Sequence, residues 1–226
     1  DGVVVSVAWG SSVCEVARLL EANPHRDVHV VQALGSLGSR LPAIDNPGIT
    51  QALAERVDGV PHYLPAPMIV ESKPARDALA SDPQFAETLA LGGRTDIALV
   101  GIGMADPGLS GMCRAGYLDP WTMERIRADG AVGDVVAEFY DLFGRIKETD
   151  VGERVVGMRQ RELGNARTVV SVARGTAKAP AILGALRTGL IHVLVTDNAT
   201  AHRVLELADA HPETRSFAVA LPDDGN

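Results

Sequence analysis

Five stretches of this 226-residue chain place glycines, hydroxyls or a lone charge where an apolar run stops. "VVVSVA" gives way to Trp9-Gly10-Ser11-Ser12. Gly10 permits backbone angles closed to other residues, and the serines then stand beside the free amides of a following helix, which is a nest for phosphate or another anion. The same serines could instead cap that helix. A second amide-rich loop, "QALGSLGSR", holds Gln32, Gly35, Ser36, Gly38 and Arg40, and a third, "VGIGMADPG", holds Gly101 and Gly103. In "GAVGD" the carboxylate of Asp134 can accept hydrogen bonds from sugar hydroxyls, serve as a general base, or be an ordinary turn aspartate. "VARGTAKAP" sets Lys178 in the first turn of a helix, where the helix dipole disfavours a cation. An anion at the same sheet end would account for it, and a solvated surface lysine is the alternative.

Other chemistries lack their residues. The six histidines are scattered with no HxxxH or HExxH pair, so a zinc or iron site is not expected. There is no GxSxG elbow and no GxxxxGK[ST] loop, and Met104 to Pro107 spoil a nicotinamide fingerprint after Gly101 and Gly103. No cofactor is expected. Cys14 and Cys113 show no CxxC spacing, which suits a reduced, cytoplasmic protein. The net charge of −8, from 29 acids and 21 bases without a basic stretch, disfavours direct binding to nucleic acid. No apolar run approaches the ~20 residues needed to cross a bilayer, so no membrane partner is expected.

These loops need a frame that brings them together. Apolar content of 46% with only 4% aromatics, and short apolar runs alternating with amphipathic or Ala-rich segments, indicate an α/β fold with a mostly parallel sheet. Strands are expected at residues 3–8, 28–34, 62–65, 97–102, 168–173 and 193–196. Helices are expected at 12–21, 46–57, 73–80, 84–91, 120–128, 177–187 and 198–209, the last two capped by Thr176 and Asp197. Residues 129–165 break the alternation and read as a hairpin or insertion covering the sheet end. The final "LPDDGN" reads as a frayed tail. Strand, short loop, helix puts ligands at the carboxyl ends of parallel strands.

Taken in order, "VVVSVAWGSS", "VVQALGSLGS", "YLPAPMIVESKPARDAL", "TDIALVGIGM", "RAGYL", "GAVGD" and "TAKAPAILGALRTGLIHVLVTDNATA" resemble the effector-binding domain of the SorC family of bacterial transcriptional regulators. The resemblance implies one sugar-binding domain over residues 1–226, three-layered and Rossmann-like, similar to the glucosamine-6-phosphate and ribose-5-phosphate isomerase fold. It also implies sensing of a phosphorylated sugar without catalysis, a homodimer or homotetramer, and DNA contact only through an N-terminal helix-turn-helix head absent from this chain. The chain's start at "DG" without Met agrees with a missing upstream segment.

By the same resemblance Gly10, Ser11 and Ser12 match the phosphate loop, and Gln32, Gly35, Ser36 and Gly38 match a second ligand-lining loop. Asp134 would face sugar hydroxyls and Lys178 a phosphate. Where some members carry a lysine for a covalent adduct just before the second loop, this chain has Leu34, so a Schiff base is not expected. A sugar-phosphate isomerase of the same fold is the alternative function, with Asp134 as base.

Overall fold

A computed structural model of the chain describes residues 2–25, 27–38 and 44–212. Arg40 and the terminal "LPDDGN" lie outside the described residues. Six parallel strands form the central sheet: β1 (Val3–Val7), β2 (Val28–Gln32), β3 (Val60–His62), β4 (Ile97–Gly101), β9 (Thr168–Val172) and β10 (Val193–Val195). Their spatial order is β10-β9-β4-β1-β2-β3. The chain therefore winds one way from β1 and the other way from β4, and the crevice between those two strands is the topological switch point where open α/β sheets bind ligands.

The apolar strands are continuous because both faces are covered. On one face Val7, Val30 and Leu99 pack against Val13 and Ala17 of α1 (Ser11–Leu19) and Ile49, Leu53 and Ala54 of α2 (Asn46–Val57). On the other, Ala98, Val100 and Val169 meet Ile182 and Leu183 of α9 (Ala179–Arg187) in the larger core. Further helices are α3 (Lys73–Ser81), α4 (Pro83–Gly92), α5 (Gly111–Arg114), α6 (Pro120–Ala128), α7 (Asp150–Glu153), α8 (Gln160–Leu163) and α10 (Asn198–Ala210). No helix among the described residues is long and apolar enough to cross a membrane.

The irregular region forms a second, antiparallel sheet, ordered β5-β6-β7-β8: β5 (Gly103–Met104), β6 (Ala131–Val135), β7 (Glu138–Asp141) and β8 (Ile146–Lys147). The hairpin expected within 129–165 is thus β6–β7, and it packs on α9. Gly133 permits that approach, since a Cβ there would lie 2.7 Å from the Ala181 Cβ.

Three local expectations change. The strand expected at 62–65 is β3, three residues long and paired with β2 through His29↔Val60 and Val31↔His62. Its Pro61 is tolerated because β3 is an edge strand. Beyond it, Leu64 leaves the ladder and donates its amide to the Gln32 side chain at 3.1 Å. The helix expected from 177 begins with a 3-10 turn, Thr176–Lys178, and Thr176 supplies no side-chain cap. Asp197 does cap α10, accepting the Thr200 amide at 2.8 Å.

Candidate functional site

A cavity of about 320 Å³ opens at the carboxyl ends of β1, β4 and β9. Gly10, Ser11 and Ser12 line it from the β1–α1 loop, Gly101 and Gly103 from the end of β4, Asp134 from β6, and Lys178 from the turn before α9. Seven of the residues expected from the sequence thus meet in one place.

The helix termini facing this cavity differ from the rest. Asp45, Ser72, Asp82, Asp119 and Asp197 each accept a first-turn amide of α2, α3, α4, α6 and α10. Among the described helices of nine or more residues, α1 and α9 alone lack a side-chain cap. The N-cap of α1 is Gly10 at φ 139°, and Cys14 N already bonds Gly10 O at 2.8 Å. The expected serine cap is therefore not made, and the amides of Ser11, Ser12 and Val13 have no partner within their helix. Such a terminus carries partial positive charge and favours an anion.

Asp134 sits inside β6 and not on a turn. It is buried, 6% exposed, and burial pushes its carboxyl up to about 6 despite the opposing Lys178 ammonium and the Ala137 amide. Lys178 is half-buried and donates to Ile102 O at 2.6 Å. Desolvation lowers its pKa, nearby Asp134 opposes that shift, and Arg114 adds to it. The lysine that the helix dipole disfavours is thus held by a carbonyl at the strand end and a carboxylate across the cavity.

The hairpin that carries Asp134 turns at Val136 and Ala137, both at positive φ (49° and 61°) and both buried. Two-residue turns of this hand favour Asn-Gly, because a Cβ is strained there. Both residues line the cavity.

The second loop is built differently. Gln32, Gly35, Ser36 and Gly38 do not line the cavity, although Leu34 does. The Gln32 side chain is 2% exposed and donates to Leu34 O (2.7 Å) and Leu64 O (3.1 Å). Gly35 N bonds Val156 O and Ser36 N bonds Ala66 O. Ser36 Oγ donates to the Asp45 carboxylate and accepts from Gly38 N at 3.0 Å. Amides and hydroxyl are occupied in joining the loop to its neighbours.

Sequence reasoning missed the two arginines among the described residues that line the cavity, Arg114 and Arg174. Both are exposed and, with Lys178, set three cations around the single carboxylate of Asp134. Among the described residues no histidine lines the cavity, and no three His, Cys, Asp or Glu side chains could hold a metal ion. Convergent amides and cations can bind an anion, and Asp134 can accept from hydroxyls.

A family model described as "Putative sugar-binding domain" matches residues 1–206. The deoxyribonucleoside regulator of Bacillus subtilis (strain 168) is 27% identical over 206 residues, 91% of this chain and 65% of that protein. The sorbitol operon regulator of Klebsiella pneumoniae is 26% identical over 208 residues, with the same coverages. The chain therefore spans 65% of the length of these curated relatives. A solved DeoR family transcriptional regulator from Listeria monocytogenes superposes with a TM-score of 0.82 at 27% identity, covering 89% of this chain and 78% of that one.

Proposed function

Since the chain belongs to the sugar-binding domain family of SorC-type transcriptional regulators, we propose that it is an effector-sensing domain that binds a phosphorylated sugar in the switch-point cavity. The carrying observation is the uncapped terminus of α1 opening on one cavity together with Arg114, Arg174 and Lys178. The amides and hydroxyls of Ser11 and Ser12 and the cations take the phosphate, while Asp134 accepts from sugar hydroxyls. Binding alters DNA affinity only if it favours one arrangement of the subunits over another. The regulator is accordingly a cytoplasmic homodimer or homotetramer that contacts DNA through an N-terminal helix-turn-helix head outside this chain. Relatives named for deoxyribonucleosides and sorbitol support a carbohydrate metabolite as effector.

A thermal-shift panel tests this reading. A phosphorylated sugar at 100 times its Kd adds ~2.7 kcal/mol of stability, and its unphosphorylated counterpart at equal concentration adds far less. Equal shifts by both members of each pair would remove the phosphate from the assignment.

One observation favours a second reading, a sugar-phosphate isomerase: Asp134, at about 6, is poised near neutral pH as a general base. Against it, among the described residues Asp134 is the only carboxylate lining the cavity and no histidine accompanies it. Steady formation of the isomer from ribose 5-phosphate or glucosamine 6-phosphate would establish the enzyme; binding without turnover leaves the sensor.

A further inference from the structure

Trp9 has no part in the phosphate and hydroxyl contacts assigned above, yet it lines the same cavity. It is half-buried and packs on the main core. The ring rests on Gly111, the first residue of α5: a Cβ there would lie 2.6 Å from Trp9 Cη2 and 2.7 Å from Cζ3. Even an alanine would displace the indole, so the bare glycine acts as a seat that fixes the ring. Ile102, Met104, Leu109 and Val136 line the cavity with it. Leu109 is 52% exposed, held out by a turn in which Asp106 Oδ1 accepts the amides of Gly108 (2.9 Å) and Leu109 (3.1 Å). A large apolar side chain fixed at the mouth of a cavity extends the same apolar wall.

We infer, resting on the sugar-phosphate reading above, that Trp9 is a specificity-determining residue: an aromatic platform that selects ring-closed sugar phosphates over open-chain alditol phosphates. A furanose or pyranose ring gathers C–H groups on one face. That face can lie on the indole and bury apolar area at ~25 cal/mol per Å², leaving the hydroxyls at the ring's edge for Asp134. An alditol of equal carbon number carries a hydroxyl on every non-phosphorylated carbon and no persistent apolar face. Against this wall it leaves hydroxyls without partners, at ~1–3 kcal/mol each, and gives up more chain freedom on binding.

The chain has two tryptophans, and the other, Trp121, is 68% exposed beneath Arg125. Trp121→Phe leaves Trp9 as the sole indole reporter. In that background the probes are ribose 5-phosphate against ribitol 5-phosphate, glucose 6-phosphate against glucitol 6-phosphate, and inorganic phosphate, measured by calorimetry and Trp9 emission. The ring ester of at least one pair is expected to bind about tenfold tighter than its alditol and to change the emission. Trp9→Leu should bring that pair within about twofold, Trp9→Phe should keep the preference, and Gly111→Ala, which moves the indole without removing it, should weaken it. Should Trp9→Leu fail to fold, the contrast between Trp9→Phe and Gly111→Ala decides. Binding without preference, or a preference that survives loss or displacement of the indole, overturns the inference and leaves the function standing. Failure of all four esters and of inorganic phosphate to bind overturns the function, and this inference with it.

Discussion

Gly103 and Asp134 face each other across the β5–β6 pair, and the Asp134 carboxylate fills the space that any side chain on Gly103 would occupy. A Cβ at Gly103 would overlap the carboxylate oxygen. The glycine is therefore a condition for the acid's position. Two residues earlier, a Cβ on Gly101 would meet only Trp9 O and Val13 Cγ2, both at 3.8 Å, which is ordinary contact. Gly103→Ala should cost ~1–3 kcal/mol through overpacking and strongly weaken the ligand, whereas Gly101→Ala should be tolerated in both respects. Melting temperatures and affinities of the two variants check the contrast; equal behaviour would show that the glycine does not set the Asp134 geometry.

Asp134 gives a pH prediction whose sign is opposite to that of most carboxylates. Its pKa is raised from 3.8 to about 6 in the folded protein, chiefly by burial. Between those values the folded state holds a proton that the unfolded state has released, so this group's contribution to stability falls as pH rises and is flat above about 6. Asp119 and Asp197, whose pKa values are lowered by hydrogen bonds to their helix amides, act in the other direction. The difference between the native chain and Asp134→Asn isolates the term. Measured by denaturant unfolding, the stability of native relative to variant should drop by on the order of 3 kcal/mol across this window. A flat difference curve would refute the raised pKa.

Because no serine caps α1, Ser11→Ala with Ser12→Ala should leave stability within ~0.5 kcal/mol of the native chain. The same change at Ser72, which accepts the Ala75 amide at 3.3 Å, should cost ~1 kcal/mol. Affinity should respond in reverse: the double variant weakens phosphorylated ligands more than free sugars, and Ser72→Ala affects neither. Thermal melts and titrations with both ligand classes separate these outcomes.

Much of the frame was legible because parallel strands buried on both faces read as unbroken apolar runs, as in β1 and β4. Gly10 and Lys178 were legible through helix-end electrostatics, which require no knowledge of distant contacts. Arg174 directly follows the buried run of β9, where the reasoning applied to Gly10 would have found it. Arg114, in "GMCRAG", carries no local signal, since only the close approach of α5 to Trp9, beyond the end of β1, brings it to the cavity. The glycines of the second loop suggest free amides, but whether an amide is free depends on contacts that the local sequence does not show. The Gly35 amide is taken by Val156 O and the Ser36 amide by Ala66 O, partners far away in sequence, and the Gly38 amide by Ser36 Oγ.

The Gln32 assignment can be tested directly. Its side chain is the partner of Leu64 N, while Leu34 O also accepts from Asn46 Nδ2 and Leu64 O from Ala66 N, so Gln32→Leu strands the buried Leu64 amide while keeping most of the volume. A loss of ~1–3 kcal/mol is expected. At a temperature where the variant remains folded, its ranking of phosphorylated and free sugars should match the native chain. A changed ranking with unchanged stability would return Gln32 to the ligand.

The strained hairpin tip supplies the last test. Ala137 holds φ 61° and directs its amide to Asp134, a conformation that costs an L-residue roughly 1–2 kcal/mol and glycine almost nothing. Ala137→Gly loses one buried methyl and gains unfolded-state freedom, at a combined cost of about the same size. The variant should therefore match native stability to within ~1 kcal/mol, although alanine-to-glycine changes at buried positions of ordinary φ are clearly destabilising. Ala137→Val keeps the strain and adds bulk beside the cavity, so it should lower the melting temperature and weaken binding together. A large loss of stability in Ala137→Gly would show that the turn is held by the packing of that methyl and not by the Asp134 carboxylate accepting its amide.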